Sequence, residues 1–157
     1  MAATTPVAFD PAPIHLGLTM TFKAASAILA GQIVAFADSG ASRTVAPATS
    51  SLSAPIGVAA HSQATTGGDV TVLMQGCVCK VMLSADDGTA DAGDWIGVST
   101  VAGCGIVRDS VLQAKGTILG LQNAVGLALD DIAVGAATVG GTGYILVQTS
   151  APVSSAT

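Results

Sequence analysis

"GVAAHSQATTGGDVTVLMQ" at residues 57–75 and "GLALDDIAVGAATVGGTGYILVQ" at residues 126–148 read as one pattern written twice. Each opens on glycine, passes through an apolar strand into a polar bend, turns at a Gly-Gly pair and ends in a second strand closed by glutamine. A hairpin-like unit of this kind cannot bury its apolar face alone, so two of them are expected to pack on one another. Ancestral duplication leaves such an echo, and convergent strand-and-turn grammar produces one too. The sequence by itself keeps both origins open.

The same grammar extends outward. "GQIVAFADSGASRTVAPA", "APIGVAAHS", "ADDGTADAGDWIGVS" and "GTILGLQNAVGLALDD" are short apolar runs set between Gly and Asp turns, with Asp38-Ser39-Gly40 and Asp86-Asp87-Gly88 as tight-turn sequences. A turn signal roughly every ten residues points to a small barrel or sandwich. Composition agrees: charged residues make up 10% and aromatics 3%, Gly numbers 19, and all 10 acidic residues are Asp, which favours turns where Glu would favour helices. The fold class is therefore all-β, a compact small β-barrel or β-sandwich with an extended N-terminal arm. "DSVLQA" at residues 109–114 is the one candidate helical turn, with Asp109 as its cap.

A chain of 157 residues is the size of one domain with one core. Residues 1–18 hold Pro6, Pro11 and Pro13 and read as an extended arm that needs a partner surface to become ordered. Residues 19–149 are the β domain, and residues 150–157 are a tail.

The net charge of -5, with 5 basic residues and no basic cluster, argues against nucleic acid as a partner. Residues 24–37 are apolar but too short to cross a bilayer, and residues 118–137 carry Gln122, Asn123, Asp130 and Asp131, so they read as two strands and a turn; no membrane partner is expected. No signal peptide is expected, since Lys23 is the first basic residue. The 3 cysteines do not make a disulfide framework, which fits assembly in a reducing cytoplasm.

Candidate chemistry is sparse. Read as one continuous strand, residues 67–83 place Cys77 and Cys79 on the same face, with Cα atoms roughly 6.5 to 7 Å apart and parallel Cβ vectors, which disfavours a bridge. A metal would need further soft ligands, and Cys104, His15 and His61 follow no recognised spacing; the expected role is that of buried structural thiols. His61 beside Ser62 imitates a base and nucleophile, but sequence neighbours lack the convergence a triad needs. Asp86, Asp87, Asp91 and Asp94 invite a calcium reading, yet the D-x-D-x-D-G core and distal Glu are missing, and a solvated turn is expected. Gly67-Gly68 and Gly140-Gly141 lack the context of a phosphate loop and read as turns. No catalytic residue, metal or cofactor is expected, and the chain is not expected to be an enzyme.

The ordered set "AGQIV" (30–34), "PIGVA" (55–59), "GGDVTV" with "GCV" (67–78) and "GLALDDIAVG" (126–135) resembles the small capsid decoration, or cement, proteins of tailed phages and related viruses. The resemblance spans most of residues 24–148. It implies a homotrimer on the outer surface of an icosahedral head, bound to the major capsid protein at three-fold positions and stabilising the shell against internal DNA pressure. It implies a virion location after assembly in the host cytoplasm, and brings no catalytic residues. Within it, Pro6, Phe9, Pro11, Pro13 and His15 are candidate contacts from the arm, and Trp95 and Tyr144 candidate contacts from the domain. The competing expectation is a non-enzymatic β-rich tail, spike or surface-layer binding module.

Overall fold

The computed structural model describes residues 17–37, 43–49, 54–84, 89–108, 124–133 and 139–149. Among these the regular structure is β-strand: β1 (Thr19–Ala24), β2 (Ile33–Phe36), β3 (Thr44–Pro47), β4 (Pro55–Ala59), β5 (Asp69–Leu73), β6 (Val78–Ser84), β7 (Trp95–Val98), β8 (Gly105–Arg108), β9 (Ala124–Ala128) and β10 (Val139–Val147). The all-β expectation holds, and the choice between barrel and sandwich resolves to closed barrels.

The first five strands close in the order β1-β3-β2-β4-β5 and the last five in the order β6-β8-β7-β9-β10, each ring returning to its start. In both rings the first and third strands run parallel and every other pair is antiparallel. Closure removes the exposed sheet edges that a chain this rich in Val, Thr and Gly would otherwise offer to other strands.

The agreement reaches individual residues. Val34 faces Gly57 where Ile96 faces Gly126, and both pairings then slip by a bulge at the next residue. An isolated bridge joins Ile28 to Gln63, and another joins Ala90 to Ile132. Ala30 N–H donates to Ser62 Oγ at 3.0 Å and Leu29 N–H to Gln32 Oε1 at 2.9 Å. In the second barrel Ala92 N–H donates to Asp131 Oδ1 at 2.9 Å and Asp91 N–H to Asp94 Oδ2 at 2.9 Å. Between these bonds Gly31 and Gly93 take φ of 83° and 99°, a left-handed conformation that glycine adopts without a Cβ penalty. Matching bulges, bridges and side-chain caps at matching positions make the two barrels one architecture built twice. The hairpin echo is its last two strands, β4–β5 and β9–β10.

Each barrel is filled by the same register positions with different volumes. Phe22, Ala24, Val34, Val70 and Val72 line the first; their counterparts in the second are Val81, Leu83, Ile96, Gly143 and Ile145. A methyl group on Gly143 would collide with Ile132, which occupies the space vacated there. Large-for-small exchange of this kind keeps two diverged interiors at native density.

The core is divided in two where the sequence reading expects one. One cluster holds Phe22, Ala24, Ile28, Val34, Val45, Ala59, Val70 and Val72 inside the first barrel. The other fills the second barrel and extends onto the outer wall of the first through Ile33, Ala35, Ala48, Val58 and Leu73. Backbone bonds reinforce that seam, from Ile33 N–H to the Gly103 carbonyl at 2.8 Å and from Met82 N–H to the Gly31 carbonyl at 3.0 Å.

Two further sequence expectations are corrected. Residues 67–83 are not one strand: β5 stops at Leu73, Gly76 turns the chain with φ 84°, and β6 begins at Val78, so the Cys77-Val78-Cys79 stretch lies just past the junction of the two repeats. Gly140-Gly141 is not a turn; both lie inside β10, where the register against β6 shifts between Val139 and Gly141. The expected turns at residues 38–40 and 86–88, the helical turn at 109–114 and the tail at 150–157 lie outside the described residues.

Candidate interaction surface

Strand alternation turns Ile96, Gly143, Ile145 and Val147 into the second barrel and leaves Trp95, Tyr144 and Leu146 on its outer wall. Cross-strand pairing lines these up. Trp95 stands opposite Leu127, Leu127 opposite Leu146, and Leu146 opposite Val78, so four partly exposed apolar side chains form one row across β7, β9, β10 and β6. Tyr144 flanks the row two residues from Leu146, and the Lys80 ammonium sits 5.6 Å from its ring centroid, a cation–π contact at the row's edge. A partly exposed apolar row with a polar rim has the anatomy of a protein contact surface.

Trp95 and Tyr144, the domain's candidate contacts, both stand on this wall. Leu127, Leu146 and Val78 were not candidates. Their signal is in the sequence only once the repeats are superposed, because it consists of their being counterparts of Val58, Leu73 and Thr19. Pro6, Phe9, Pro11, Pro13 and His15 lie outside the described residues.

Several of the remaining candidates make local structural contacts. His61 Nε2 lies 3.2 Å from the Asp69 carbonyl, to which it donates in the tautomer protonated there, while Ser62 Oγ accepts the Ala30 amide. The two side chains thus serve different bonds. Cys77, Cys79 and Cys104 are free and buried, and the Cys77 thiol points at the Leu18 carbonyl, 3.5 Å away. Burial, and after it the neighbouring Cys77, pushes the Cys79 thiol up to about 12; burial also raises Cys104. A nucleophile or metal ligand needs the thiolate, and burial disfavours it at Cys79 and Cys104.

Of the Asp-rich stretch, Asp94 accepts from its own loop and Asp131 reaches across to Ala92, while Asp86 and Asp87 lie outside the described residues. Among the described residues no three His, Cys, Asp or Glu side chains are grouped to hold a metal ion. The ion pair between Lys23 and Asp69, at 2.7 Å, is solvent-exposed on both sides and contributes little.

No protein-family model matches this chain, and no curated protein matches it. Among solved structures it is similar to the crystal structure of the head fiber gp8.5 N base of bacteriophage phi29, with a TM-score of 0.56 at 15% identity. The likeness covers 85% of this chain and 95% of that one, so the two share a fold over nearly their full lengths.

Proposed function

We propose that this chain is a structural protein of a phage head, a decoration protein that sits on the outer surface of an icosahedral shell as a trimer and stabilises it. The observation that carries the reading is the shared fold with a head fiber base over 95% of that chain. The ordered motifs of the sequence lead to the same class independently. Two of them occupy structurally demanding places: Gly57 of "PIGVA" and Gly126 of "GLALDDIAVG" are the matching close-approach glycines of the two barrels.

The physical properties suit the task. Closed barrels leave no strand edge to pair at random, and the wall of the second offers an apolar row edged by Lys80. A symmetric assembly engaging several capsid subunits at once gains affinity from effective concentration, so each contact can be modest. The arm, residues 1–16 ahead of the Leu18 that is bonded into the first barrel, is assigned to the major capsid protein or to a sister subunit, where an extended segment satisfies its backbone by adding to a neighbouring sheet.

A second reading is an attachment base for a longer head appendage, favoured by the neighbour's being a fiber base. Both readings are tested by incubating purified protein with undecorated heads and sedimenting them. Co-sedimentation that saturates is expected, and protein that stays wholly in the supernatant at every ratio overturns both.

A further inference from the structure

The repeated architecture supplies an internal reference for what a surface of this fold is for. In the first barrel the row Ile33–Val58–Leu73 is 0%, 0% and 1% exposed, because the second barrel is packed on it. The matching row in the second barrel, Trp95–Leu127–Leu146, stands at the same register positions and is just as apolar, but it is partly exposed. No third barrel follows in the described residues to cover it.

The other side of the seam shows the converse. Cys77, Cys79 and Val98 of the second barrel are buried in the cluster that covers the Ile33 row. Their counterparts in the first barrel are Leu18, Met20 and Phe36, which are 53%, 38% and 56% exposed. These are three of the largest exposed apolar side chains on the described surface, and all three are buried positions in the other repeat.

We propose that a second copy of this chain covers the Trp95–Leu127–Leu146 row, docking the Leu18–Met20–Phe36 face of its first barrel there and so repeating between chains the seam that joins the barrels within one. The contact is heterologous: each copy gives one face and receives the other, and such contacts close into rings when the rotation allows. The inference takes self-association from the reading above, of which a ring of three is the closed form, and adds the faces that meet. Lys80 and Tyr144 form the rim.

The test uses the full chain and its lone tryptophan, which lies in the row. Sedimentation across a concentration series is expected to show an oligomer, with Trp95 emission shifting to the red as dilution separates the copies. Leu127→Lys on the row and Met20→Glu on the opposite face should each give a folded monomer, raising the dissociation constant roughly 100-fold or more, since a charge would be buried against apolar partners. Leu29→Glu, at an exposed position whose counterpart Asp91 is also exposed, should change nothing.

The diagnostic step is to mix the two monomeric variants. Each keeps one intact face, so they should form 1:1 dimers and go no further. A wild-type chain that is monomeric throughout overturns the proposal, as does an L127K chain that assembles normally, or a mixture that stays monomeric. If L127K does not fold, Leu127→Thr, which suits a strand, carries the same expectation. Loss of assembly on deleting residues 1–16, with L127K still assembled, would assign the association to the arm and overturn the proposal too. Head binding is measured separately: a wild-type chain that is monomeric yet binds heads refutes this inference and leaves the head-bound role standing, and an oligomer built on these faces that ignores heads refutes the functional reading alone.

Discussion

The Leu73 carbonyl oxygen lies against the α-carbon of Gly57, in the space a methyl group would need. The Leu146 carbonyl lies in the same way against Gly126, so the close approach of the fourth strand to the fifth is built into both barrels. Gly57→Ala and Gly126→Ala are each expected to cost about 1–3 kcal/mol, because backbone must shift to admit the side chain. Urea denaturation measures it, and a variant as stable as the parent would show that these strands have room.

Ser62 and Asp131 hold equivalent amides, those of Ala30 and Ala92. Ser62→Ala and Asp131→Ala should each lose about 1 kcal/mol in the same assay, the usual net worth of one such bond. Asp131→Ser, which puts the first barrel's acceptor into the second, should recover part of the loss.

The Cys79 thiol gives a pH dependence of known sign. Its value rises from 9.0 to about 12 on folding, so between these limits the unfolded chain holds fewer protons than the folded one. Stability from this group is complete below about pH 9 and falls as pH rises toward 12, by up to ~1.4 kcal/mol per unit. Cys79→Val should flatten the alkaline limb of the stability profile relative to the parent. Equal slopes in the two proteins would mean the thiol is not protected.

Where the arm ends can be measured. Leu18 donates to the Gln75 carbonyl at 3.1 Å and accepts from Met74 N–H at 2.8 Å, so it is tied to the first barrel. Deleting residues 1–16 should leave the melting temperature unchanged and weaken head binding. Deleting residues 1–18 should also lower stability, by roughly 1–3 kcal/mol for the bonds lost. Unchanged head affinity after the shorter deletion would remove the arm from the mechanism.

Fold class was legible because turn chemistry and alternation are local properties. The β4–β5 and β9–β10 hairpins were readable as an echo for the same reason. Their partners were not, since β1 with β6 and β2 with β7 keep the shared geometry while exchanging Phe22 for Val81 and Ala24 for Leu83. Volumes that compensate across a barrel erase sequence similarity without touching register. The Gly140-Gly141 bulge and the break at Gly76 were misread because a Gly pair and an alternating run each have two backbone solutions, and strand pairing chooses between them. On the outer wall, Trp95 and Tyr144 could be singled out as rare aromatics. Leu127 and Leu146 are ordinary strand residues until their counterparts Val58 and Leu73 are seen buried.

Occupancy of a phage head can be seen by electron microscopy of undecorated heads saturated with this protein. Added density shaped as paired small barrels is expected, three copies at each three-fold position of the outer surface. Heads whose three-fold positions stay empty at saturating protein would contradict it.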